Sequence, residues 1–152
     1  MTTLQDIFGQ DDAVETILRA YEADRLPHGL IFAGPTGVGK ETAARGLATL
    51  FLCENPKKNQ PCGKCASCVL MESADPTHPD YHVIYRQLVR IEKEKLKAID
   101  LPVSVIRDYL VEPANHKSSM NRGKVFIVRE AELMNAAAQN AMLDLWFAGS
   151  TR

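Results

Sequence analysis

Apolar positions recur along this chain with two alternating periods. Val14, Ile17, Leu18 and Tyr21 follow the i, i+3, i+4, i+7 spacing and predict a helix over residues 10–24. Asp11, Asp12 and Glu15 sit in its first turn, where the helix dipole favours acids. Leu26-Pro27-His28-Gly29 breaks that pattern, and Leu30-Ile31-Phe32-Ala33 is a short apolar run suited to a buried parallel strand. A glycine-rich turn follows over 34–40. Lys40 to about Leu52 is helical again, with Ala44, Leu47, Ala48 and Phe51 on one face. Val69 to Ser73 predicts a short helix, and Asp80 to Tyr85 a second strand. Residues 86–98 carry Arg86, Arg90, Lys93, Lys95 and Lys97, and read as a solvated loop or short hairpin. Ile99 to Val111 is predicted helical, with Val103, Ile106 and Leu110 as its stripe and Pro102 in its first turn. A loop over 113–123 leads to a third strand, Lys124 to Val128. Asn135 is placed to cap a last helix running to about Trp146, with Ala138, Ala141, Met142 and Leu145 facing inward. Strands alternating with helices predict an α/β fold with a parallel sheet.

Composition narrows the function classes. The chain has 152 residues, 18 basic and 19 acidic, with 45% hydrophobic positions. That is one domain or part of one. A net charge of −1 excludes coating nucleic acid by bulk electrostatics. No window of 18 apolar, uncharged residues exists for a membrane helix. The start, Met1-Thr2-Thr3-Leu4-Gln5-Asp6, lacks the basic and apolar regions of a signal peptide. The expected compartment is the cytoplasm, where thiols stay reduced.

All four cysteines, Cys53, Cys62, Cys65 and Cys68, fall within sixteen residues as C-x8-C-x2-C-x2-C. Two disulfides are the simpler alternative. The reducing compartment, the clustering and the C-x2-C turns favour zinc, which takes four soft donors at tetrahedral corners. Four protein ligands leave no open position, so the metal is expected to be structural and to order a module too small for its own core.

Gly34-Pro35-Thr36-Gly37-Val38-Gly39-Lys40 lies between an apolar run and a helix. That is the context of a phosphate-binding loop, whose backbone N–H groups and helix N-terminus face one anion while the lysine reaches the β/γ-phosphates. The pattern ordinarily continues with Ser or Thr as a magnesium ligand. Here Glu41 takes that place and Thr42 comes one residue late. After the strand ending at Val128, where an Asp ordinarily helps hold magnesium, stands Arg129-Glu130. The expectation is a loop that can take ATP, with magnesium-assisted hydrolysis weak or absent.

These features together resemble the clamp-loader branch of the AAA+ ATPases. The resemblance rests on Phe8-Gly9-Gln10, Leu26 to Pro35, the four-cysteine insertion and His78-Pro79-Asp80-Tyr81. It continues through Ile106-Arg107, Lys124 to Val128, Ala131 to Asn135 and Ala137 to Ala141, covering about residues 5–143. It implies a phosphate-loop, RecA-like parallel sheet with helices on both faces, the cysteine module at 53–68 being a zinc insertion specific to bacterial clamp-loader subunits. Phe8, Gly9 and Gln10 are implied to lie near an adenine pocket. The implied partners are other clamp-loader subunits of gamma/tau and delta type in a hetero-pentamer and, through the complex, the sliding clamp and primed DNA. No membrane role is implied. Of the subunit classes sharing the zinc module, Glu41, Arg129 and the His-Pro-Asp-Tyr segment resemble the one whose nucleotide site is often degenerate.

After Leu143 the sequence leaves the family pattern, reading Asp144 to Arg152. The fourth and fifth strands, the Ser-Arg-Cys arginine-finger motif, the lid and the collar are not found in it. Residues 1–152 therefore read as a partial AAA+ domain from a truncated, frameshifted or fragmentary gene product. In the family's sheet order, 5-1-4-3-2, the strand at 30–33 loses both neighbours, so the chain alone is expected to be marginal or partly unfolded. His28 is expected to be a turn residue, and His78 and His82 structural. The functions in competition are a non-hydrolysing clamp-loader subunit, an active ATPase of the gamma/tau class, and a zinc-stabilised interaction module with no nucleotide role.

Overall fold

The computed structural model describes residues 2–88, 100–120 and 122–149, and for 146–149 the helical backbone alone. The chain forms two compact units, one of Met1–Tyr81 with Ser119–Val125, the other of His82–Ser118 with Phe126–Arg152.

The first unit is built around a helix. A short 3-10 turn, Leu4–Asp6, precedes α1 (Asp11–Glu22) and α2 (Lys40–Leu52). Thr3 donates both its N–H and its Oγ1 hydroxyl to Asp6 Oδ2, at 2.6 and 3.0 Å, and so fixes the turn. Leu4, Ile7, Ala43, Leu47 and Leu50 form one buried cluster, against which the predicted stripe Val14, Ile17, Leu18 and Tyr21 packs. Ala48, Leu52 and Met71 form a second cluster, joined by Phe51, Tyr81 and Val125. α2 therefore buries two faces. α3 (Ala66–Met71) starts three residues before its predicted position. Arg45, on α2, donates to the carbonyls of Met71, Ser73 and Ala74, closing the end of α3.

In the second unit, Ile84, Leu88, Leu101, Val105, Ile106, Leu110 and Ala138 make the core. β1 (Tyr81–Ile84) is paired with β2 (Val125–Val128) in a two-stranded sheet. Val125 N–H donates to Asp80 and Arg129 N–H to Ile84, both at 2.9 Å, which is a parallel register. Among the described residues these are the only strands. Leu101 adds an isolated parallel bridge to Met134. α4 (Val103–Ile106) continues as a π turn over Arg107–Val111 and then α5 (Glu112–Asn115). Finally α6 (Ala136–Gly149) is capped by the Asn135 carboxamide oxygen, which accepts the Ala138 N–H at 2.9 Å, as its sequence predicts.

Several expectations need correction. Residues 30–33 form no strand. No ladder runs beside them among the described residues, and Leu30 is 40% and Ile31 84% exposed. Phe32 alone of this run packs on the α1–α2 cluster. The helix expected from Ile99 starts at Val103, because Leu101 is held in its bridge and Pro102 is the N-cap. It also runs past Pro113, expected to open a loop. A proline lacks the N–H and crowds the carbonyl four residues back, and the wider π turn lies just before it. Both strands are a residue or two shorter than predicted, with Asp80 left outside β1. Arg90, Lys93, Lys95 and Lys97 of the basic run lie outside the described residues.

Gly46 gives the first unit a sharp test. A Cβ there would lie 2.8 Å from Leu4 N and Thr3 C, backbone atoms of the N-terminal turn. Helix propensity alone predicts that Gly46→Ala stabilises by about 1 kcal/mol. We expect the opposite sign, a loss of about 1–3 kcal/mol from overpacking, read as a lower denaturation midpoint.

Candidate functional site

Two candidate sites lie at the ends of α2. At its start, Gly34 to Gly39 form a loop, exposed over Gly34–Gly37 and half-buried at Val38 and Gly39. Gly34, Gly37 and Gly39 have φ of 150°, 84° and 94°. Those are conformations that glycine adopts without a Cβ penalty, so their spacing has a backbone reason. Gly39 is the N-cap, its carbonyl accepting the Ala43 N–H at 2.8 Å. Ile7 Cγ2 lies 3.6 Å from where a Cβ on Gly39 would be, which brings the Ile7-Phe8 segment beside the loop's end. Phe8 itself is 91% exposed.

Lys40 does not point into open solvent. Its Nζ donates to the carbonyls of Gly34 at 2.7 Å and Pro35 at 2.8 Å, closing the loop on itself. Pro35, Thr36 and Val38 complete the turn, where Val38 N–H donates to the Pro35 carbonyl at 3.4 Å. Glu41 is exposed and Thr42 half-buried in the first turn of α2. Arg129 follows β2 in the second unit, and its neighbour Glu130 pairs with Arg86 at 3.3 Å. The loop and helix of the predicted pattern are thus present, while the strand before them is not.

At the other end of α2 the four cysteines converge. Cys53 follows the helix directly. Lys57 and Gln60 exchange two backbone hydrogen bonds of 2.9 Å around Lys58 and Asn59, whose φ values are 47° and 61°. Positive φ at both central residues makes this a tight hairpin. It accounts for the eight-residue spacing, because it returns Cys62 to Cys53. Cys65 is the N-cap of α3, its sulfur accepting the Cys68 N–H at 3.4 Å, and the Cys62 N–H donates to Cys53 Sγ at 3.2 Å.

All four sulfurs lie within 4.8 Å of one another. Cys53–Cys65 and Cys62–Cys68 are both 4.0 Å apart, and the thiols are free. The edge of a tetrahedron with metal–sulfur bonds of about 2.3 Å is about 3.8 Å, so a slight contraction seats an ion. The disulfide alternative is not realised. Backbone N–H groups of Lys64 and Cys65 pull the Cys62 thiol down to about 6. Burial pushes Cys53 and Cys68 up. The set therefore resists carrying four negative charges by itself, and a divalent cation is the counter-charge such a cluster fits.

A polar cluster that the spacing rules did not find adjoins the thiols. His78 is 3% and Asp80 0% exposed. His78 Nδ1 accepts the Asp80 N–H at 3.0 Å, and Nε2 is 3.1 Å from Ser67 Oγ. The Asp80 carboxylate accepts the N–H groups of Ser119 at 2.7 Å and Met120 at 2.8 Å. The only sequence signal was the His-Pro-Asp-Tyr segment itself. His82 stacks on Phe126 with ring centres 4.8 Å apart.

A family model described as "DNA polymerase III, delta subunit" matches residues 9–145. Escherichia coli (strain K12) "DNA polymerase III subunit delta'" is 31% identical over 146 residues, covering 91% of this chain and 40% of that protein. The gamma/tau subunit of Mycobacterium tuberculosis (strain ATCC 25618 / H37Rv) is 30% identical over 140 residues, 92% of this chain and 22% of its own length. Bacillus subtilis (strain 168) subunit tau is 26% identical over 139 residues, 91% and 22%. The chain thus spans two fifths or less of these relatives.

Burial lowers the pKa of His78 from its ordinary 6.5, against the opposing pull of Asp80 and Glu54. The unfolded chain then takes up a proton at a higher pH than the folded one, so stability is full above about 6.5 and falls as pH drops through the folded value. The denaturation midpoint of native protein is expected to fall more between pH 7 and 5 than that of His78→Gln.

Proposed function

The chain belongs to the DNA polymerase III delta-subunit family, a clamp-loader AAA+ family, and on that premise we propose that it is a delta-prime-like clamp-loader subunit. In this reading it helps load the sliding clamp onto primed DNA during bacterial replication, in the cytoplasm. It does so beside gamma/tau- and delta-type subunits in a hetero-pentamer, contributing part of an AAA+ domain with a zinc insertion at 53–68. Among the described residues no helix is long and apolar enough to cross a membrane.

The observation that carries the reading is the state of the phosphate loop. The positive φ of Gly34, Gly37 and Gly39 is compatible with a phosphate cradle, while Glu41 stands where the pattern ordinarily carries a magnesium-holding hydroxyl. Gly34, Pro35, Thr36, Gly37, Val38, Gly39 and Lys40 would surround the phosphates, with Glu41 and Thr42 opening the helix behind them. A carboxylate at position 41 sets a negative charge beside the phosphates and removes the hydroxyl that orients the metal. ATP held there would serve as a structural ligand, and the chain would act on the complex by shape.

Cys53, Cys62, Cys65 and Cys68 would hold the zinc as thiolates. Such a site adds on the order of 10 kcal/mol or more to the folding of the segment that carries it. It fixes the hairpin and α3 beside α2 without a catalytic position.

The second reading, an ATP-hydrolysing gamma/tau-type subunit, is favoured by the relatives of that class. Turnover separates the two. We expect no magnesium-dependent ATP hydrolysis above that of Lys40→Ala; hydrolysis that Lys40→Ala abolishes would establish the second reading. Elemental analysis is expected to give one zinc per chain, lost with Cys62→Ser. Protein that folds normally without metal would remove the zinc reading.

A further inference from the structure

The polar cluster beside the thiols forms a closed ring of hydrogen bonds. Because Asp80 N–H donates to His78 Nδ1, the ring proton must sit on Nε2, which donates to Ser67 Oγ. The Ser67 hydroxyl in turn faces Met120 Sδ at 3.9 Å, and Met120 N–H donates back to the Asp80 carboxylate at 2.8 Å. Ser67 lies on α3 between Cys65 and Cys68, and its own N–H reaches Glu54 Oε1 at 3.4 Å, one residue after Cys53. Ser67 is 1% exposed, so its hydroxyl has no water to fall back on. Through Ser67 the ring grips the backbone that carries two of the four thiols. Through Asp80 it grips the 119–120 segment that leads into β2.

We propose that His78 is a positioning residue for the thiol cluster, coupling metal binding at Cys53, Cys62, Cys65 and Cys68 to the clasp of Asp80 on Ser119 and Met120. The inference rests on the zinc reading above and goes beyond it. A side chain that sets the orientation of ligand-bearing backbone acts as the outer shell of a metal site, whose loss ordinarily costs 10–100-fold in affinity. Coupling is reciprocal, so zinc must protect the distant amides by the factor that the ring adds to zinc affinity.

The two functions of the ring can be separated chemically. His78→Gln keeps a donor at the position of Nε2, whereas His78→Asn keeps only an acceptor at the position of Nδ1. Ser67→Ala removes the hydroxyl with little change of shape, and so tests the link if the His78 variants fail to fold. Zinc affinity is measured by chelator competition on the full chain, and hydrogen exchange at Ser119 and Met120 with and without zinc. We expect Ser67→Ala and His78→Asn to bind zinc about tenfold more weakly, and His78→Gln to stay within about threefold of native. Zinc should slow exchange at both amides in native protein, and much less in Ser67→Ala. If native protein binds zinc and Ser67→Ala binds it equally well, or the amides ignore zinc, the coupling is refuted while the zinc site stands. If native protein binds none, the zinc reading falls and the coupling with it.

Discussion

One helix serves both candidate sites, and the packing that places it is what everything else depends on. α2 begins at the loop lysine and ends one residue before the first thiol. Thirteen residues rising about 1.5 Å each set the two sites about 20 Å apart. A helix this short is marginal by itself in water, so tertiary packing has to hold it. Leu47 and Leu50 bury one side, Ala48 and Leu52 another. The face at Gly46 is so close to the N-terminal turn that no side chain fits. Arg45 ties the remaining side to the carbonyls that end α3. The small residues Ala43, Gly46 and Ala48 are therefore not filler between leucines. Gly46 lets the backbone of the N-terminal turn approach, and Ala43 and Ala48 belong to the two clusters that hold the helix.

The cysteine segment follows the same logic with a different adhesive. Between Cys53 and Cys68 the chain has little apolar surface to bury, and it turns twice through positive φ, at Lys58-Asn59 and at Gly63. Hydrogen bonds from Cys62 and Cys68 N–H to sulfur settle the turns. Asn59 also donates to Glu22 at the end of α1, so the hairpin tip is tied to the helical layer. What remains unbalanced is charge. Four sulfurs within 4.8 Å cannot all ionise without a cation among them.

Much of this was legible in the order of residues, and the reasons differ by element. α1, α2 and α6 declare themselves by period, and Asn135 marks where α6 starts. The C-x2-C spacing and the glycines of the loop carry local backbone requirements, which a sequence states directly. The run at 30–33 misleads because strand formation is a property of neighbours. Leu30-Ile31-Phe32-Ala33 has every local mark of a buried strand and no ladder beside it. The late start of α4 was likewise decided by the bridge between Leu101 and Met134, residues far apart in the chain. The ring of Ser67, His78, Asp80 and Met120 has no period or spacing of its own. Three separate segments contribute to it, so only the folded chain assembles it.

If the loop over 34–40 takes a phosphate, as proposed, its cradle and its cation chemistry would have to be weighed separately. Lys40 is bonded to the Gly34 and Pro35 carbonyls, and a phosphate must draw it away. Charge-assisted bonds of this sort are worth about 1.5–3 kcal/mol each, and an incoming phosphate offers the ammonium stronger acceptors in exchange. Glu41 opposes binding as an exposed carboxylate, and repulsion a few ångströms away in water is only about 1 kcal/mol. Neither cost forbids a nucleotide. Hydrolysis is another matter, because it needs a metal held at one point between two phosphate oxygens. Removing the hydroxyl that holds it takes away a position that exposed charge cannot restore. On the proposed reading, a loop so altered would lose turnover before it lost the ability to receive a phosphate, and the positive φ of Gly34, Gly37 and Gly39 gives those glycines a backbone reason that does not depend on hydrolysis.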